Sequence, residues 1–129
     1  MRLPFTLLLP LAVLVAACTT DDMPGPTEGQ AVYARNCSAC HGADGTGGKG
    51  PDLTKISAQN GGTFPAASVL SKIDGYGRGS VSADVMPEFG ALLEGDLVPV
   101  DIDGTLTPTP RNLAGLLFYL ESIQVSEPG

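Results

Sequence analysis

Residues 33–53 read YARNCSACHGADGTGGKGPDL, and the five residues Cys37-Ser38-Ala39-Cys40-His41 decide how the rest is read. Two thiols lie three apart, and the imidazole follows at once. His41 is the only histidine in the 129 residues, and the one other cysteine is Cys18. Any chemistry built on this cluster must therefore recruit further partners from elsewhere in the chain.

Three uses of a Cys-x-x-Cys pair compete. A redox dithiol wants a strand before the motif and a βαβ surround. Here a helical pattern precedes it and a glycine-rich loop follows. A structural zinc site needs four nitrogen or sulfur ligands, usually in two spaced pairs. No second pair exists, and Cys18 belongs to a different feature. A disulfide between Cys37 and Cys40 would close too small a loop to stabilise much. The third use is attachment of c-type haem, for which C-x-x-C-H is the specific signature. Two thiols add to the two haem vinyl groups, and the adjacent imidazole binds the iron.

The sixth ligand follows by elimination. With no second histidine, the candidates are Met1, Met23 and Met86. Met1 belongs to a leader and Met23 to a proline-rich linker. Met86 stands in DVMPEFG, a loop signal well downstream of His41. A His/Met pair favours electron transfer and raises the potential relative to more donating pairs. It also fills both axial positions, leaving none for a substrate.

The N-terminus reads as targeting sequence. Met1-Arg2 is followed by LPFTLLLPLAVLVAA (Leu3–Ala17), too short and too proline-broken for a membrane-spanning helix but suited to a signal peptide. Its end, Val15-Ala16-Ala17-Cys18, resembles a bacterial lipobox, which implies lipidation of Cys18. Residues 18–26 are then a polar, proline-containing tether, and 27–129 the folded domain. Without residues 1–17, which hold only Arg2, six Lys/Arg face 14 Asp/Glu, a balance of −8. That excludes nucleic acid and attraction to anionic lipid, and it favours a basic protein partner. A nucleotide loop is excluded too, because Lys49 is followed by Gly50 rather than Ser or Thr.

Local patterning predicts mostly helix. Thr27 and Gln30 form a capping box for a first helix that stops near Gly42, with Gly29, Tyr33 and Cys37 on one face. Residues 42–63 read as loop. A second helix spans Pro65 to about Asp74, stopped by Gly75. A short helical turn follows Pro87. Val98, Val100 and Ile102 alternate with polar or proline residues before Asp103-Gly104, which predicts a two-stranded flap near 97–107. Thr109 as N-cap and Pro110 at N1 open a last amphipathic helix through Leu113, Leu116, Leu117, Leu120 and Ile123. Outside the leader only Tyr33, Phe64, Tyr76, Phe89, Phe118 and Tyr119 are aromatic, so a large flat cofactor would help to fill so small a core.

CSACH, GKGPDL (48–53), MPEFG (86–90) and LLFYLESI (116–123) together make the chain resemble the class I c-type cytochromes over residues 27 to about 125. The resemblance implies an all-α fold of three to four helices around one covalently attached haem c. It implies Cys37 and Cys40 as thioether anchors, and His41 and Met86 as axial ligands. The carbonyl of Pro51 would accept the other N–H of the histidine. Tyr76 and Arg78 are candidates to hold the haem propionates. Gly29 and Tyr33 would cross Leu116 and Tyr119. The function implied is that of a monohaem electron carrier, not an enzyme. With the lipobox it would be tethered on the periplasmic side of a bacterial membrane. Thr19 after the lipid cysteine favours the outer one. Alternatives are an electron-transfer subunit of a larger dehydrogenase or oxidase, or a haem-based sensor. Two features depart from the family pattern. The segment around 95–108 is long and carries Glu94, Asp96, Asp101 and Asp103, suiting either a surface embellishment or a docking element. Lysines are few, so the redox partners stay unidentified.

Overall fold

The structure, a computed structural model, describes residues 23–75 and 85–126. It is mostly helical with one small sheet. In chain order the elements are α1 (Pro26–Asn36), α2 (Ser38–His41), α3 (Ile56–Gln59), α4 (Ala66–Asp74), a 3₁₀ turn (Gly90–Leu93), β1 (Leu97–Ile102), β2 (Thr105–Pro110) and α5 (Arg111–Ser122). No helix among the described residues is long and apolar enough to cross a membrane.

The first helix starts one residue before the expected capping box, which is not made. Pro26 occupies the first turn, and Gly25 is the N-cap with no side-chain cap. The Gly25 carbonyl accepts from the N–H groups of Glu28 and Gly29 at 3.1 and 3.2 Å. Proline suits this place because its missing N–H is one the helix would leave unpaired. The helix does end at Gly42, but it is interrupted at Cys37, whose φ of −118° separates α1 from α2. Ser38 Oγ donates to the Ala34 carbonyl and Asn36 Nδ2 to that of Val32, side-chain bonds that compete with the helix ladder there.

Packing of α1 against α5 organises the core. Tyr33 and Tyr119 meet with ring centroids 5.1 Å apart, and Leu113, Leu116, Leu117 and Leu120 are buried as expected. The closest approach is backbone to backbone. A Cβ on Gly29 would lie 1.8 Å from the Gly115 carbonyl oxygen and 2.9 Å from the Leu116 nitrogen. Glycine at 29 is thus required by the neighbouring helix, against its helix propensity. At the same end Glu28 takes a two-pronged hydrogen bond from Arg111, at 2.8 and 3.0 Å. Gly29→Ala is expected to cost about 3 kcal/mol or more, because overpacking here must separate two helices. Urea unfolding of the haem-loaded protein measures it; an unchanged midpoint contradicts the crossing.

The helix over Ala66–Asp74 lies where its apolar side predicts, with Pro65 as N-cap rather than first residue and Gly75 as C-cap. One turn inside the expected loop, α3, carried no periodic signal.

The hairpin is longer than expected. β1 and β2 pair antiparallel from Ile102↔Thr105 out to Leu97↔Pro110. The turn residues Asp103 (φ 53°) and Gly104 (φ 84°) both lie in the left-handed region, as a type I′ turn requires. Thr109 and Pro110 therefore belong to β2. Pro110 itself caps α5, which begins at Arg111, so the expected Thr109 N-cap is displaced. The strand wins because Val98, Val100 and Thr109 are buried on the core side.

Candidate functional site

A cleft of about 400 Å³ opens beside α5. Its walls are mainly apolar, with Leu53, Ile56, Val69, Ile73, Phe89, Leu116 and Leu120 contributed by four different stretches of chain. Cys37, Cys40, His41, Pro51 and Met86 line the same cleft. Residues far apart in sequence thus share one cleft. Cys37, His41 and Met86 are half-buried and Cys40 is exposed. Tyr76 and Arg78 lie outside the described residues, as do Cys18 and residues 1–17, read above as a signal peptide.

The loop after the motif is held by its own backbone. The N–H of Gly47 donates to the His41 carbonyl and that of Gly50 to the Cys40 carbonyl, each at 2.8 Å. The loop thereby returns to the ring of His41, whose Nδ1 lies 2.9 Å from the Pro51 carbonyl oxygen. A carbonyl only accepts, so Nδ1 carries the proton and donates it. Nε2 is left with its lone pair, the form that binds a metal. Such an approach needs Gly50: a Cβ there would fall 2.8 Å from His41 Cε1 and 2.9 Å from Nδ1.

Other side chains brace this loop. Tyr33 donates its hydroxyl to the Gly42 carbonyl at 2.7 Å. Burial above all, then the neighbouring Cys37 sulfur, pushes the phenol up to about 12, so it remains a donor. Asp44 accepts from the hydroxyl and N–H of Thr46, and Asp52 from those of Thr54. These bonds, the hydroxyl's most of all, hold both carboxyls below their usual range. A carboxyl that ionises more readily when folded adds stability that is complete above its unfolded value and is lost as pH falls. The D44N/D52N protein is therefore expected to be less stable at neutral pH and to respond less to acid. Haem absorbance followed through urea unfolding at several acidic pH values measures both; parallel curves contradict it.

Gln124, which the sequence did not single out, fastens the far end of the loop. Its Oε1 accepts from the Ser57 N–H at 2.8 Å, and its Nε2 donates to the carbonyls of Leu53 (2.8 Å) and Leu120 (2.7 Å). Lys49 and Lys72 were missed as well, yet both line the cleft. For Lys72 a signal existed: it sits on α4 beside Val69 and Ile73, at the edge of the apolar stripe.

The environment of the thiols bears on the competing uses. Burial, with Cys40 as the lesser cause, pushes the Cys37 thiol up to about 11. A dithiol catalyst needs the opposite, a thiolate stabilised near neutrality. Among the described residues no group of three or more His, Cys, Asp or Glu side chains is placed to hold a metal ion, as a closed zinc site would need.

The family model for Cytochrome c matches residues 26–98, more than half of the chain. The chain belongs to the cytochrome c family. A search among curated proteins found no match. Membership brings covalently bound haem c with its iron and makes this a haem-based electron-transfer protein. The cleft fits that cofactor. Two thiols and an imidazole with a free Nε2 stand at one wall, a thioether lines the same space, and the remaining surface is mainly apolar. The match ends inside β1, so most of the hairpin and all of α5 lie beyond it.

Proposed function

We propose that this cytochrome is a monohaem electron carrier of class I arrangement, ligated by His41 and Met86. It is tethered through a lipid on Cys18 to the periplasmic side of a bacterial membrane, the outer in preference to the inner. The observation that carries the reading is the convergence of Cys37, Cys40, His41 and Met86 on one apolar cleft, with His41 Nδ1 committed to Pro51.

The bound haem supplies the ferric–ferrous couple. The chain's own part is to hold and tune it. Cys37 and Cys40 offer their Sγ atoms for the two thioethers, and His41 offers Nε2. Met86 offers a sulfur, a weak donor that favours the reduced state. Leu53, Ile56, Val69 and Leu116 keep water from the iron and so limit the solvent reorganisation that accompanies a change of charge. Lys49 and Lys72 are the described cations that line the cleft and suit the propionates. Tyr76 and Arg78 are proposed to share that task. No acid, base or nucleophile is needed, so the protein acts as a carrier rather than an enzyme. Its redox partners are proteins and, to judge from the net charge, basic ones.

Two measurements test this. Haem content by absorbance against amino-acid analysis is expected to give one haem per chain; two would contradict it. Cys18→Ser is expected to move the protein from the membrane to the soluble fraction. Retention on the membrane contradicts the lipid tether without touching the haem assignment. A second reading, as an electron-transfer subunit of a larger complex, is favoured by the apolar face that the hairpin turns outward.

A further inference from the structure

The hairpin 97–110 has an outer face that the fold leaves bare. The N–H of Arg111 donates to the Asp96 carbonyl at 2.9 Å, extending the ladder by one pair. In an antiparallel ladder hydrogen-bonded and non-bonded pairs alternate. The pair Leu97↔Pro110 is then non-bonded, as are Pro99↔Pro108 and Asp101↔Leu106. The side chains of Val98, Val100 and Thr109 point to the core. Those of Leu97, Pro99, Leu106 and Pro108 therefore share the outer face, where all four are exposed. Leu97 is 63% exposed and Leu106 70%, the latter higher than any other described leucine.

Acidic groups surround this apolar strip. Glu94, Asp96, Asp101 and Asp103 are exposed, and no Lys or Arg stands between Arg78 and Arg111. Asp101 also accepts from the Gly104 N–H at 2.8 Å, which fixes it at the turn. The guanidinium of Arg111 is engaged by Glu28. The prolines fall at non-bonded positions, where a backbone N–H would point out of the sheet edge. Their lack of that N–H tolerates them in the strands and blocks pairing with an added strand.

We propose that this face is a docking surface for a protein partner that presents an apolar patch ringed by lysine or arginine. Contact is made on the face and not by strand addition. Charge complementarity selects the partner: a second copy of this acidic chain would be repelled, and so would anionic lipid. Among the described residues none of 92–115 lines the haem cleft, so a partner seated here leaves the cleft open. The face would hold the carrier in place while electrons pass elsewhere. It lies mostly beyond the stretch that matches the family model. The proposal does not depend on which residues bind the iron.

The test uses haem-loaded, ¹⁵N-labelled Cys18→Ser protein and a short synthetic peptide of alternating lysine and leucine as probe. Amide shifts are expected at residues 96–108. Binding should weaken about tenfold in the L97S/L106S protein, as when contacts at an interface centre are lost. It should weaken also in D96N/D101N and in about 0.5 M salt, while an alternating glutamate–leucine peptide does not bind. Both pairs of positions are exposed, so folding and the haem spectrum serve as unchanged controls. Shifts spread over the surface or centred on the cleft mouth overturn the proposal, as does equal binding by L97S/L106S. Self-association in the ultracentrifuge that L97S/L106S abolishes overturns it too. So does binding of phosphatidylglycerol vesicles through this face.

Discussion

Replacing Cys37 and Cys40 together by alanine is expected to abolish haem that survives denaturation, and with it most of the folded protein. The two sulfurs are the described thiols on the cleft, and no other described side chain there can form a thioether to a vinyl group. The consequence for stability follows from the cleft. Left without its cofactor, it exposes Leu53, Ile56, Val69, Ile73, Phe89, Leu116 and Leu120 in a space of about 400 Å³. At about 24 cal/mol per Å³ an enclosed cavity of that size would cost roughly 10 kcal/mol. The cleft opens to water, which makes this an upper bound. That bound is of the same order as the whole stability, about 5–15 kcal/mol, of an ordinary domain. Single replacements keep one anchor and are expected to retain covalent haem. Cys37→Ala should cost more stability than Cys40→Ala, since Cys37 is half-buried and packs on the core. Haem staining after denaturing electrophoresis and thermal unfolding by circular dichroism are the two measurements. Stain in the double variant contradicts the attachment.

Met86→Ala is expected to lower the reduction potential by about 0.1–0.3 V, a part of the roughly 0.8 V that axial ligands can span. A thioether donates weakly and favours ferrous iron; water or hydroxide in its place favours ferric. Met86 is half-buried against the core cluster, so some stability is lost as well, about 2 kcal/mol for the missing side chain. Packing alone does not account for a potential, so Met86→His separates the two effects. Histidine supplies a second strong donor, and the potential is expected to stay low while the sixth position is again closed. Spectroelectrochemical titration of the three proteins reads this out. Equal potentials in wild type and Met86→Ala would show that another group holds the iron.

The site was largely legible because its chemistry is concentrated in short stretches. CSACH, Pro51 and MPEFG stand out by residue type and spacing, and residues of all three line one cleft. The Asp103-Gly104 turn was legible for the same reason: two residues with positive φ leave a local signature. Contacts made across long sequence separations were not legible. Gln124 joins Leu53, Ser57 and Leu120 through hydrogen bonds any glutamine can make, and nothing beside it marks the partner. Gly29 was read as a crossing point, but its backbone partner Gly115 was not, because α5 shows only its leucine stripe in sequence. The N-caps of α1 and α5 were misplaced, by two residues and by one. Thr27 and Thr109 are good caps by type, yet Pro26 already occupies the first turn of α1, and β2 claims Thr109 for the core.

The central proposal is that His41 and Met86 both hold the iron, which leaves no open position. Carbon monoxide added to the reduced, native protein at neutral pH tests it most directly. The visible spectrum is expected to stay as it was, while the Met86→Ala protein binds the gas at once. Ready uptake by the unmodified protein would contradict the carrier reading and favour a sensor, in which Met86 leaves the iron.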